Sequence, residues 1–221
     1  MKDAYDNSIP SFMIRIWLAD RPGALAQVAG RIGAVGGDVI NIDILERDNG
    51  RAIDDLYITL PEGSLIPLML TKISELDDVG VEDIRELQTD LSDAIQDPLQ
   101  ISYELISSET LSEVLRSFVA GCSTCFNLDW AVMYREEDSA VVTASGDMPS
   151  PAWLDAFVAG LQNSSEDIEK LAITGDTAWI RLDKIGLMFI FSRLQRSLRS
   201  REKRQLLLLA QIAGKVIDTF Q

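Results

Sequence analysis

The sequence predicts a mixed α/β chain built from two different units. Three observations predict it. Short runs of apolar residues at period two alternate with runs at helical spacing. Over residues 11–90 those runs follow the order βαββαβ. A polar, acidic stretch from about Leu91 to Pro98 breaks the pattern, and a second set of strands and helices fills residues 99–221.

The first ten residues read as a loose tail. Phe12 to Ala19 is a strand, with Phe12, Ile14, Ile16 and Leu18 on one face. Asp20-Arg21-Pro22-Gly23 ends it, because proline cannot donate to a ladder and glycine permits a tight backbone approach. A helix follows with Leu25, Val28, Ala29 and Ile32 on one stripe, and Gly36-Gly37 stops it. Val39 to Glu46 is the second strand. Ile40, Ile42 and Ile44 face one way; Asn41 and Asp43 face the other. Asp48-Asn49-Gly50-Arg51 is a hairpin signal, since Asn-Gly tolerates the positive φ of a type I′ turn. The third strand spans about Ile53 to Leu60. Leu65, Leu68, Met69 and Ile73 mark a second helix, and Val79 to Leu87 a last strand. This βαββαβ order is the ferredoxin-like arrangement, with both helices on one sheet face.

The second unit opens with a helix near Glu109 to Gly121. Trp130 to Tyr134 and Ala140 to Ala144 read as paired strands around the charged turn Glu136-Glu137-Asp138. Pro151 to Leu161 is helical, with proline in the first turn. Ala178 to Leu182 and Gly186 to Phe191 are two more strands, joined by Asp183-Lys184-Ile185. A long helix carrying Leu206, Leu209, Ala210, Ala213 and Ile217 closes the chain. Leu207, Leu208, Ile212 and Val216 fill its other faces, so the helix is expected to be buried, either inside the domain or against a partner.

Composition narrows the function classes. Hydrophobic residues make up 47% and charged residues 25% of 221 residues, the balance of an ordinary globular protein. Acidic residues outnumber basic ones 35 to 20, for a net charge of −15. Such a surface repels phosphate backbones and anionic membranes. The absence of histidine removes the usual general base near neutral pH and the commonest metal ligand. Neither a signal peptide nor a membrane-spanning run is expected, so the cytoplasm is the expected location.

The segment that points to function is Asp20-Arg21-Pro22-Gly23-Ala24-Leu25, set between a strand and a helix. The amides at a helix start are unpaired and lie at the positive end of the dipole, where they receive a carboxylate or phosphate. Asp20 offers a partner for an ammonium group. One anion-binding end beside one cation-binding end suits a zwitterion such as an amino acid.

Those residues, the helix after them, and Gly37-Asp38-Val39-Ile40-Asn41-Ile42 resemble an ACT domain, a regulatory module of amino-acid metabolism. The resemblance covers roughly residues 11–88 of a domain placed at 11–90. It implies a ligand held between two ACT domains, by the loop after the first strand and the second strand of a neighbour. The implied ligand-binding residues are Asp20, Pro22, Gly23, Ala24 and Leu25 from the loop, and Asn41 and Ile42 from the strand. Residues 99–221 resemble a GAF-like domain, a central antiparallel sheet with flanking helices. No cyclic-nucleotide, haem or bilin motif accompanies that resemblance, so no cofactor is expected.

Other motifs carry less. Cys122-Ser123-Thr124-Cys125 has the spacing of a redox pair or half a zinc site, but lacks a second pair and any histidine. It reads better as small buried hydrophobes at a helix end. Arg193, Arg196, Arg199, Arg201, Lys203 and Arg204 form a basic cluster, read as a solvated helix start or a docking patch for an acidic partner. Asp54-Asp55 and Asp77-Asp78 read as solvated surface, and the two side chains of Asp54-Asp55 point to opposite faces. No catalytic residue or metal ligand is expected. The expected protein is a regulatory homodimer that binds an amino acid and signals to a partner protein. The rivals are a ligand-free assembly module and an enzyme using the cysteine pair.

Overall fold

The computed structural model describes residues 9–87, 96–161, 171–174, 176–182, 186–194 and 197–220. The chain divides into two compact units, Met1–Ser92 and Asp93–Gln221. Residues 1–8 of the tail, 91–95 of the polar stretch, the linker 183–185 and Arg196 lie outside the described residues.

The first unit runs β1 (Ser11–Ala19), α1 (Ala24–Gly33), β2 (Asp38–Asp48), β3 (Arg51–Thr59), α2 (Ile66–Ser74) and β4 (Val79–Leu87). Its four strands form one antiparallel sheet in the order β2-β3-β1-β4. One sheet face, built from Phe12, Ile14, Ile16 and Leu18 of β1 with Ala52, Leu56 and Ile58 of β3, packs on Val28 and Ile32 of α1 and Met69 and Ile73 of α2. Burying each such aliphatic side chain is worth about 1.5–3 kcal/mol. Asn49 and Gly50 turn the β2–β3 hairpin with φ of 50° and 77°, both positive as a type I′ turn demands. Gly36 takes φ 79° beyond α1. The next residue, Gly37, is wedged against Leu60 and Ile32, so a side chain there would force the strand away.

The second unit runs α3 (Gln96–Ser107), α4 (Leu111–Cys125), β5 (Trp130–Arg135), β6 (Ala140–Gly146), α5 (Pro151–Leu161), β7 (Ala172–Thr174), β8 (Thr177–Leu182), β9 (Leu187–Ser192) and α6 (Ser200–Ile217). Its antiparallel sheet has the order β6-β5-β9-β8-β7. One face packs on α4 and α6 through Phe118, Val119, Phe189, Phe191, Leu206 and Ala213. The other carries Trp130, Val132, Trp179 and Ile190 and is covered by Leu154 and Val158 of α5. Helix α3 lies on α4 and α6 rather than on the sheet. It comes close to α4 at Gly121, where an added Cβ would meet Ile101 at 2.8 Å. Two α+β units, each with an antiparallel sheet, are thus what the periodicity predicts.

Three expectations need correction. Helix α3 and the short strand β7 are present beyond the elements that the periodicity marks. Helix α6 is not enclosed by its own unit on every side: Arg204, Leu208, Gln211 and Lys215 lie exposed along one line, which leaves burial against a partner as the open alternative. Asp54 and Asp55 are not solvated; both are buried, at 3% and 4% exposure.

Candidate functional site

The loop between β1 and α1 is fixed from three sides. The Asp20 amide donates to the Gly50 carbonyl at 2.9 Å, tying the loop to the tip of the β2–β3 hairpin. The Ala19 amide donates to Asp78 O at 3.1 Å, tying it to the turn before β4. Within the loop the Arg21 amide donates to Ala19 O at 2.8 Å. Gly23 takes φ 85° and ψ −9° at the N-cap of α1, a left-handed conformation that favours glycine. No side chain caps α1 and no acid lies in its first turn. The first amide, of Ala24, donates to Arg21 O at 3.3 Å, and the positive end of the helix dipole faces the loop.

The predicted loop residues fall together. Asp20, Arg21, Pro22 and Gly23 are exposed, and Leu25 is half-buried. Ala24 is 2% exposed, so its methyl group belongs to the core and only its backbone borders the loop. Asn41 and Ile42 are not brought to the loop within one chain. Asn41 pairs with Tyr57, and Tyr57 with Met13, which places Asn41 level with Met13 rather than with Ala19. That separation is six strand residues, about 20 Å. Asn41 turns its Oδ1 onto the Ile42 amide at 2.8 Å, and the Ile42 side chain is exposed.

Two further charged residues lie toward the loop end of the sheet, Asp54 three strand residues short of it. Arg47 of β2 approaches Asp20 with Nε–Oδ1 at 3.9 Å, both side chains being largely exposed. Asp54 of β3 pairs in register with Ile16 and Ile44. It therefore shares the helix-facing side with Ala52 and Leu56. Its Oδ1 is buried and has no hydrogen-bond donor among the described residues. Burial holds the Asp54 carboxyl above its ordinary range; Arg47 opposes that shift, while Asp20 and Asp55 add to it. Sequence reasoning set Asp54 aside as surface. The signal that could have found it is its position, two residues from Ala52 and two from Leu56 in an otherwise apolar row.

Asp55 faces the opposite side and is committed to structure. Arg15 donates to it through Nε at 2.7 Å and Nη2 at 2.8 Å, both side chains being buried. At the same end of the sheet the Arg51 guanidinium lies 4.9 Å from the centre of the Trp17 ring. Trp17 in turn lies across Gly80, where any Cβ would collide with the indole.

In the second unit two of the singled-out motifs have a member buried in the core. Cys122 and Cys125 are not joined in a disulfide. Cys122 is fully buried beside Phe118, and burial pushes its thiol well above the ordinary value, away from the reactive thiolate. Arg193 is no part of a solvated patch. It is buried, donates to both Glu202 carboxylate oxygens at 2.7 and 2.9 Å, and also bonds the Phe126 and Ser197 carbonyls. Over α5 the aromatic rings are continuous: Trp153 stacks on Phe157 at 5.1 Å, and Phe157 meets Trp179 edge-on at 5.5 Å. The Tyr134 hydroxyl donates to Asp155 Oδ1 at 2.7 Å, joining the sheet to α5. Among the described residues no group of three or more metal-binding side chains could hold an ion. None of the described helices is long and apolar enough to cross a membrane.

No protein-family profile matches the chain, and no curated protein matches it in sequence. Solved structures do resemble it. One is the GAF domain of an Acinetobacter phosphoenolpyruvate-protein phosphotransferase, at 13% identity and TM-score 0.41, covering 57% of this chain and 92% of that one. Another is the ACT domain of a GTP pyrophosphokinase from Chlorobium tepidum, at 19% identity and TM-score 0.29, covering 38% and 90%. A third is a putative glycine cleavage system transcriptional repressor, at 11% identity and TM-score 0.30, covering 84% and 80%. These likenesses are distant, and the fold described above stands on its own strand order and core.

Proposed function

We propose that the first unit binds a small zwitterionic metabolite, an amino acid, at the loop Asp20–Leu25, and that the chain is a non-catalytic regulator. The observation that carries this reading is the pairing of opposite ends at one loop. The uncapped start of α1 offers partial positive charge to a carboxylate, and Asp20 with the buried, unsatisfied Asp54 oxygen offers negative charge to an ammonium group. A buried carboxylate oxygen without a donor is costly, by about 1–3 kcal/mol or more. A bound ammonium group would remove that cost.

Asn41 and Ile42 enter the site only from a second copy, as the ACT resemblance implies. Ligand would then favour one arrangement of the paired units. Its differential affinity for two arrangements sets how far the population shifts, and a partner protein would read the result.

A thermal-shift screen of the twenty amino acids on the full chain tests this. A ligand at 100 times its dissociation constant stabilises the fold by about 2.7 kcal/mol. One amino acid should raise the melting temperature, and Asp20→Ala should lose the rise. If no amino acid acts, the assembly-module reading replaces this one.

A further inference from the structure

Asp54 is a carboxylate with an unfilled oxygen. It is 3% exposed, and its Oδ1 has no hydrogen-bond donor among the described residues. On β3 it sits between Ala52 and Leu56, which share one core with Ala24 and Val28 in the first half of α1. Burial above all raises its pKa; after that Arg47 lowers it and Asp20 raises it. Asp54 is therefore within electrostatic reach of both Arg47 and the loop acid Asp20.

The two acids are spaced for two cations. Asp54 pairs with Ile16, three residues before the strand end at Ala19. That is about 10 Å along the strand. One ammonium group cannot meet both carboxylates across such a gap. Two cationic groups joined by a stem of three or four carbons can, since the stem reaches about 5–7 Å and each hydrogen bond adds about 3 Å. Arg47 stands beside this gap. It pairs with Ala52, so it shares the helix-facing side with Asp54 and lies nearer the loop. Its Nε is 3.9 Å from Asp20 Oδ1, and both side chains are largely exposed. A long, exposed ion pair of this kind holds weakly. The Arg47 guanidinium is thus a tethered cation that a ligand can displace.

We propose that the ligand of this site is a basic amino acid of the lysine, ornithine or arginine type. Its carboxylate lies at the start of α1, its α-ammonium on Asp20 and its side-chain cation on Asp54, with Arg47 moved aside. The inference rests on the reading of the loop as an amino-acid site and adds the class of amino acid. A neutral amino acid leaves the Asp54 oxygen unfilled, and an acidic one brings a further negative charge to it.

Isothermal titration calorimetry of the full chain with L-lysine, L-arginine and L-norleucine tests it. Norleucine has the stem of lysine without the second charge. Lysine or arginine should bind about tenfold or more tighter than norleucine, because a site with a buried polar group rejects the analogue that leaves it unpaired. Asp54→Asn keeps the shape and loses the charge; it should bring that ratio close to one while circular dichroism stays that of the parent. Arg47→Met should tighten lysine binding by about two- to fivefold, since the competing cation is gone. Norleucine binding as tightly as lysine and arginine, a preference that survives Asp54→Asn, or weaker lysine binding in Arg47→Met each overturns the proposal. If norleucine binds equally well and Asp20→Ala abolishes its binding, the loop remains an amino-acid site and only the basic class falls. If none of the twenty amino acids binds, both readings fall.

Discussion

Asp54 is a carboxylate set in a row of aliphatic side chains, and its environment dictates how it behaves with pH. Burial is the main cause of its raised pKa. The folded state therefore holds its proton at pH values where the unfolded chain, with a carboxyl near about 3.9, has released it. Stability from this group is present below the unfolded value and is lost as pH rises through the folded one. Asp54→Asn should accordingly melt above the parent at pH 7, and the gap should shrink as pH falls toward 4. Melting curves across that range measure it. The Arg15–Asp55 pair behaves differently, because both charges are buried and bonded twice. Asp55→Ala should cost about 3–5 kcal/mol by urea denaturation, since it strands a buried guanidinium. Replacing both partners by apolar residues should recover most of that loss.

At the scale of the element, capping explains where α4 and α6 begin. Thr110 and Glu113 form a reciprocal capping box at the start of α4, with the Glu113 amide donating to Thr110 Oγ1 at 3.2 Å. Thr110→Ala should destabilise the protein by about 1 kcal/mol, read from the urea midpoint. At the start of α6 the acid Glu202 binds Arg193 and accepts the Arg199 amide at 2.7 Å. Glu202→Ala should cost more, about 3–5 kcal/mol, because Arg193 is then left buried without its counter-ion. Most elements were legible from the sequence because each has one apolar face. β1, α1 and α4 announce themselves that way, and the Asn49-Gly50 turn fixes the hairpin between β2 and β3. Helix α3 was not legible. Leu99, Ile101, Tyr103 and Leu105 alternate at period two, which mimics a strand, because the helix is apolar on two opposite sides. Strand β7 has only three residues, too few for any period to show.

For the whole molecule, the loop was legible and the full site was not. Asp20 to Leu25 announce a strand–turn–helix junction through Pro22 and Gly23. Asp54 comes level with Ile16, three strand residues from that junction, through pairing between strands distant in sequence, which no local pattern reveals. Asn41 and Ile42 lie about 20 Å along the sheet from the loop, so within one chain they belong to a different place. The most direct measurement of the central claim is dialysis of the purified chain against an equimolar mixture of the twenty amino acids, followed by mass spectrometry of what the protein retains. Retention of a single amino acid in stoichiometric amount, lost in Asp20→Ala and in Asp54→Leu while both variants stay folded, is the predicted result. Retention of none, or retention untouched by either substitution, would contradict an amino-acid site at this loop.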